Sequence, residues 1–427
     1  MATFSFFRSD RGRKNTLLKR IGYNFGWSLL GEIGGKGLLF LVTVYLARVL
    51  GAANFGLFSF AQAITSYCWM GVDLGVNMYG SREIAKDKAT ASEIINPLIT
   101  LRLLSGSSLF TLFLIFFSYL YRLDPLKQIV FIGFSFYLFT RALNIDWIMR
   151  GFERFNYIAF GNFATFLLML SSIFIFVKSD KDIVIVSFLW SLCYLFGDLL
   201  LIYLLYIKLK LSFNIIFDIR LIYHHFKKSI HFTIGNSLLF LYQYLPIIFL
   251  GLVASNYEIG IFSAPYRLIL SIIYIVSLLP LVLYPTLSEL YLSDIKKFLK
   301  VYKYLKITSF LTGLLIGLGG LLAADLLIRF LYGPNYEASI TIFRIINWFV
   351  ALTSVRVVYS IAIAVTGLQK YYAITSLFSV IFYSVLFLSM IYGINISKTL
   401  AAGYTLLITE IGLIIFLWII WHFKKVS

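Results

Sequence analysis

Apolar stretches of near membrane-spanning length recur about twelve times along this chain, joined by short polar loops. A bilayer core about 30 Å thick needs roughly 20 apolar residues in a helix. Residues 22–47 meet that requirement. Further spans are expected near 55–79, 95–119, 128–149, 157–177 and 183–206, then near 229–252, 260–284, 306–327, 339–366, 372–393 and 399–421. Hydrophobic residues make up 60% of the chain and aromatics 18%, and the mean hydropathy is +0.89. Such values exclude an ordinary soluble domain. The expected fold is an all-α integral membrane protein whose function lies in what a helix bundle can do in lipid.

The net charge of +18 looks at first like a nucleic-acid signal, but its distribution says otherwise. With the N-terminus inside, most lysines and arginines fall on the inner segments. They include Arg8 to Arg20, Arg82, Lys86, Lys88, Lys227, Lys228 and the run from Lys296 to Lys306. This asymmetry sets membrane orientation. It places both termini in the cytoplasm and leaves no call for nucleic acid. The tail 1–20 is topogenic, with Phe4, Phe6 and Phe7 suited to resting on an anionic leaflet. The first apolar run is too long for a cleavable signal peptide. Cys68 and Cys193 both fall inside expected spans, and the four histidines lack ligand-like spacing, so neither a disulfide, a metal nor a cofactor is expected.

The longest central interruption, 207–228, divides six spans from six. The expected organisation is a cytoplasmic tail (1–20), an N-lobe (21–206), a cytoplasmic inter-lobe loop (207–228), a C-lobe (229–421) and a second tail (422–427). An internal echo points to a parallel repeat. Gly56-Leu57-Phe58-Ser59 opens the second span, and Gly260-Ile261-Phe262-Ser263 opens the eighth. Such repeats place a substrate site between halves near the midplane. Gly22, Gly26, Gly31 and Gly35 suit close helix packing in span one, as do Gly71 and Gly75 in span two. Pro246, Pro265 and Pro280 suit kinks in spans seven and eight.

Ionisable groups inside spans cost roughly 2.5–3.5 kcal/mol each and are functional candidates. The deepest are Glu32, Lys36, Arg356 and Glu410. Asp73, Arg102, Arg141, Asp146, Asp198, Arg267, Asp325 and Arg344 lie nearer the ends. Arg102, Asp146 and Asp325 are expected to reach an interface by snorkelling. Glu32 and Lys36 share one helix face and can pair, either structurally or as a switch opened by an anionic substrate. Lys36, Arg141, Arg267, Arg344 and Arg356 together make a cationic interior suited to phosphate or diphosphate, because arginine presents a planar fork. Glu32, Asp73 and Glu410 are the candidates for binding a coupling ion, H+ or Na+. Trp69, Tyr242 and Tyr244 could stack on sugars or be ordinary bundle aromatics. No P-loop motif is present, and no loop is long enough for a catalytic domain, so no enzyme is expected.

Asn24-Phe25-Gly26-Trp27 leads into a span ending Tyr45-Leu46-Ala47-Arg48-Val49-Leu50-Gly51, followed by Phe55-Gly56-Leu57-Phe58-Ser59-Phe60-Ala61-Gln62-Ala63. Gly71-Val72-Asp73-Leu74-Gly75, Ser81-Arg82-Glu83-Ile84-Ala85 and Arg150-Gly151-Phe152-Glu153 come next. In these motifs the chain resembles the Wzx-type O-antigen flippases, the polysaccharide branch of the MOP (multidrug/oligosaccharidyl-lipid/polysaccharide) exporter superfamily that includes the MATE transporters. The motifs cover about the first quarter, and the length and six-plus-six plan fit throughout. The resemblance implies two rocking six-helix lobes around a cationic cavity. It also implies that undecaprenyl-diphosphate-linked oligosaccharide moves from the cytoplasmic to the periplasmic leaflet of the bacterial inner membrane, driven by an ion gradient. Membrane lipids and the polysaccharide polymerase and chain-length machinery are the implied partners. A multidrug or organic-cation antiporter of the same superfamily is the alternative, and a membrane-embedded glycan polymerase or ligase a third. The first would favour interior acids over cations, and the second a long outer loop. Neither feature is evident.

Overall fold

The computed structural model describes residues 4–368 and 370–424. The side chains of residues 4–25, 28–30, 32, 232–240, 279, 281, 285, 370, 372, 373 and 424 lie outside that description. The described elements are helical, and no strand occurs among them. In chain order they are α1 (Phe4–Asp73), α2 (Val76–Lys86), α3 (Ala91–Leu120), α4 (Pro125–Ala142), α5 (Asp146–Gly151) and α6 (Phe155–Phe176). Next come α7 (Ile183–Leu204), α8 (Ile219–Val253), α9 (Asn256–Ser293), α10 (Ile295–Leu322) and α11 (Ala324–Tyr332). The series ends with α12 (Ala338–Ile346), α13 (Trp348–Val365), α14 (Lys370–Tyr392) and α15 (Lys398–Lys424).

Ten helices among the described residues are long and apolar enough to cross a membrane, where the sequence suggests about twelve. The difference has two locations. One of the ten stretches, Ile33–Lys86, runs 54 residues, or roughly 80 Å at 1.5 Å per residue, far beyond one bilayer core. Its continuity breaks at Gly51, whose φ of 69° and ψ of 169° no helix contains and few other residues adopt. The second location is α8, Ile219–Val253, of whose apolar part only Leu241–Val253 falls among the residues with described side chains. The inter-lobe segment expected at 207–228 is also partly helical, because α8 already begins at Ile219. Ile222 and Phe226, four residues apart, share one face and pack into an apolar core, which holds this basic segment in a helix.

Contacts divide the chain into two compact units. One comprises Met1–Val42, Cys68–Val177 and Val184–Thr233, and the other Thr43–Tyr67, Lys178–Ile183 and Ile234–Ser427. The core of the first gathers Val76, Tyr79 and Ile84 of α2 with Leu98 of α3 and the fully buried Trp147 of α5. Gly80 is the small residue that admits the Trp147 ring, since a Cβ there would collide with it. The core of the second gathers Phe298 and Tyr302 of α10, Val358 and Ile363 of α13, and Leu417 and Trp421 of α15.

Within the second unit the echoed tetrapeptides meet. A Cβ on Gly56 would strike the backbone carbonyl of Asn256, and a Cβ on Gly260 the carbonyl of Ala52. The second half of α1 and the start of α9 therefore cross backbone to backbone, in the manner of small-residue contacts in lipid. The α9 start is fixed by a capping box, in which Ser255 and Glu258 bond each other's backbone N–H.

Candidate functional site

The interior charges form one network in the first unit, and an ion pair and a cation with neutral partners in the second. In the first unit, Asp73 at the end of α1, Arg102 of α3, Arg141 of α4 and Asp198 of α7 are linked. Arg141 Nη1 donates to both oxygens of Asp198, at 2.9 and 3.1 Å, and Asn144 Nδ2 donates to the same carboxylate at 2.8 Å. Arg102 donates to the Arg141 carbonyl at 2.9 Å and to Asn77 Oδ1 at 3.3 Å, and lies 3.8 Å from Asp73. The Arg141 guanidinium also lies against the rings of Tyr194 and Trp69. Arg102 is fully buried, so it does not snorkel as expected from its place near a span end. Its charge is held inward by Asp73 and by two oxygens that the folded helices present.

In the second unit, Glu410 of α15 is fully buried and ion-paired to Arg356 of α13. Its carboxylate also accepts from Thr353 Oγ1 at 2.8 Å and from the Tyr242 hydroxyl at 3.4 Å. Thr353 and Arg356 are three residues apart on α13, which puts both donors on the face that α15 presents with Glu410.

Arg267 of α9 is different. Its Nη2 donates to Gln62 Oε1 at 2.5 Å and to Ser59 Oγ at 3.2 Å, both neutral groups on α1. The guanidinium lies 5.5 and 5.3 Å from the ring centres of Phe55 and Phe58. Its Nε is buried with no hydrogen-bond partner, as are those of Arg102 and Arg141, but unlike them Arg267 forms no ion pair among the described residues. The glycine crossing one to two turns earlier sets this distance, because it brings the Phe55–Gln62 segment within reach of α9. What results is a cation in an apolar, aromatic setting with neutral partners and donor capacity to spare, an arrangement that favours an anion.

The other expected residues are placed differently. Arg344 and Asp325 form a half-exposed pair at 2.5 Å. Lys36 is exposed on α1 in the first unit. The Glu32 side chain lies outside the described residues, so its expected pairing with Lys36 does too. The expected cationic set therefore divides into Lys36 and Arg141 in one unit and Arg267, Arg344 and Arg356 in the other. The carboxylate partners of Arg141 and Arg356 were not legible as partners, since 57 and 54 residues separate each pair. Among the described residues no cluster of histidine, cysteine or carboxylate could hold a metal ion.

Comparison with known proteins gives a consistent result. The sequence profile of the family described as "Polysaccharide biosynthesis protein" matches residues 21–291. A protein of Escherichia coli K12 named "Putative O-antigen transporter" is 26% identical over 389 residues, covering 88% of this chain and 91% of its own. A protein of the same name from Shigella dysenteriae is 25% identical, covering 73% of this chain and 78% of its own. Among solved structures, an inward-facing multidrug resistance MATE transporter of the MOP superfamily superimposes with a TM-score of 0.73. The superposition covers 94% of this chain and 99% of that one. At 15% identity that likeness carries the fold, a MOP-type multi-pass membrane transporter fold.

Proposed function

This chain belongs to the polysaccharide biosynthesis protein family, and from that premise we propose that it is a flippase for an undecaprenyl-diphosphate-linked oligosaccharide. The cargo moves from the cytoplasmic to the periplasmic leaflet of the bacterial inner membrane, by alternating access of lobes 21–206 and 229–421, with both termini cytoplasmic. The observation that carries this reading is the alignment, over most of the chain, with relatives named for O-antigen transport. The electrostatics agree with it. Arg267 has neutral partners and an unused donor, which suits a diphosphate and opposes an organic cation.

Lys36, Arg141, Arg344 and Arg356 are the further cations proposed along the anion's route, of which Arg141, Arg344 and Arg356 would have to exchange a carboxylate partner for phosphate. An H+ or Na+ gradient supplies the drive, with Glu410 as the principal coupling group and Glu32 and Asp73 as the others. A proton on Glu410 would dissolve its pair with Arg356 while Thr353 and Tyr242 keep their hydrogen bonds, so protonation and release of a cation are one event. The role is transport, not catalysis, and the glycan delivered outside is substrate for a polymerase and its chain-length regulator.

The test is flipping by purified protein in proteoliposomes, using a polyprenyl-diphosphate oligosaccharide labelled on its sugar. Protein-dependent protection of the sugar from external glycosidase, responsive to an imposed pH gradient, is the expected outcome. Glu410→Gln should abolish the response to the gradient. Efflux of small cationic dyes without movement of the glycolipid would replace this reading with the antiporter one.

A further inference from the structure

The lysines that open α10 serve membrane orientation by their number, yet their arrangement exceeds what orientation needs. Lys296, Lys300 and Lys303 are spaced i, i+4 and i+7, so they share one face of the helix, and all three are exposed. The two lysines beside that face are occupied. Lys297 pairs with Asp294 at 3.2 Å, and Lys306 lies 5.8 Å from the centre of the Tyr359 ring. Lys296, Lys300 and Lys303 form no ion pair among the described residues. Like charges three and four residues apart repel, and cations in the first turns of a helix also oppose its macrodipole. The helix gains nothing from this stripe, so its counter-charge comes from outside the chain.

Helix length fixes the depth of the stripe. The 28 residues of α10 span about 42 Å, roughly 12 Å more than a hydrocarbon core of about 30 Å. No charged residue occurs from Ile307 to Leu322. Counted back from Leu322, the roughly 20 residues that cross the core end at Lys303. Lys296 and Lys300 therefore stand at headgroup level, with Lys303 at its edge. The same face then continues into hydrocarbon. Ile307, Phe310 and Leu318 extend the lysine row and are 42, 49 and 45% exposed. The other side of the helix, with Phe298, Tyr302, Leu305 and Ser309, is buried, and Gly313 and Gly317 lie against Ala351 and Trp348 of α13. One uncovered track is thus cationic at headgroup depth and apolar below it.

We propose that this face of α10 is a binding surface for an anionic phospholipid, whose phosphate sits among Lys296, Lys300 and Lys303 while an acyl chain lies along Ile307 and Phe310. Basic clusters at the edge of a span attract anionic headgroups, and the track supplies the apolar contact that a soluble phosphate lacks.

Site-specific photocapture tests this. The full-length protein, with benzoylphenylalanine in place of the exposed Tyr304 beside the stripe, is placed in nanodiscs of dioleoyl phosphatidylcholine with dioleoyl phosphatidylglycerol as the minor lipid. After irradiation, intact mass identifies the lipid captured. Phosphatidylglycerol should be enriched about threefold or more over its share of the bilayer. Replacing Lys296→Gln, Lys300→Gln and Lys303→Gln together should return capture to the mixing ratio, whereas Lys297→Gln should leave most of the enrichment in place. If the triple variant does not fold, the single Lys300→Gln variant and a salt titration of the parent chain replace it, each expected to lower the enrichment. No captured lipid, capture at the mixing ratio by the parent chain, or an enrichment that neither the lysine variants nor salt reduce overturns the proposal. No glycolipid is present, so the outcome is independent of flipping.

Discussion

The first unit joins its buried arginines to carboxylates, while the second leaves one cation beside neutral groups. Arg141 has Asp198 and Arg102 has Asp73, and the links between them run through main-chain and amide oxygens. A network of this kind binds four helices to one another, and each member is expensive to remove because its partner stays behind as an unpaired charge. Arg267, held by Ser59 and Gln62, has no such hostage. Charge alone therefore does not mark a binding residue in a membrane interior. The residue to suspect is the one whose removal the rest of the fold would tolerate.

The comparison breaks most visibly at Asp198. Asp198→Asn leaves Arg141 buried without its counter-ion and should cost about 3–5 kcal/mol of stability. Thermal unfolding of the purified protein should show a large fall in midpoint, and adding Arg141→Met should recover most of it. A midpoint unchanged by Asp198→Asn would dissolve the contrast drawn here. A smaller effect on the fold, with a larger one on function, is expected at Arg267. Arg267→Gln should keep the unfolding midpoint nearly unchanged and lower glycolipid flipping about tenfold or more, corresponding to roughly 1.4 kcal/mol. Loss of folded protein instead would make Arg267 another structural cation.

The smallest effect concerns His225, outside the apolar stretches. Burial, and then the neighbouring His224 and Lys228, hold its imidazole below the usual histidine range, with Glu83 opposing them. The folded state therefore prefers the neutral ring. Its contribution to stability is present above the unfolded pKa of about 6.5 and is lost as the pH falls below that value. The unfolding midpoint should drop between pH 7 and pH 5, and His225→Gln should flatten that drop by a degree or two, on the order expected for a fraction of a kcal/mol. An identical pH profile in the variant would remove His225 as the cause.

The membrane-spanning nature of the chain was legible because hydrocarbon thickness fixes a length that composition alone can meet. The deep charges were legible for the same reason, as exceptions to that composition. Their partners were not. Asp198 and Arg141, like Glu410 and Arg356, come together only through helix packing, and a one-dimensional pattern holds no record of which faces meet. Arg102 shows the limit of reading depth from sequence, since its position near a span end suggested water and the fold gave it none. The segment 219–228 shows another. Its charges read as a loop, yet Ile222 and Phe226 were enough to hold a helix.

The echoed tetrapeptides carry a consequence of their own. Gly56 lies on the carbonyl of the residue four before Gly260, and Gly260 on the carbonyl of the residue four before Gly56. That reciprocity has the form of a helix docked on its own duplicate about a two-fold axis. Neither carbonyl can rotate aside, since each is part of a helix backbone. The two positions are one steric question asked twice, so the rows for 56 and 260 in a substitution scan should be nearly interchangeable.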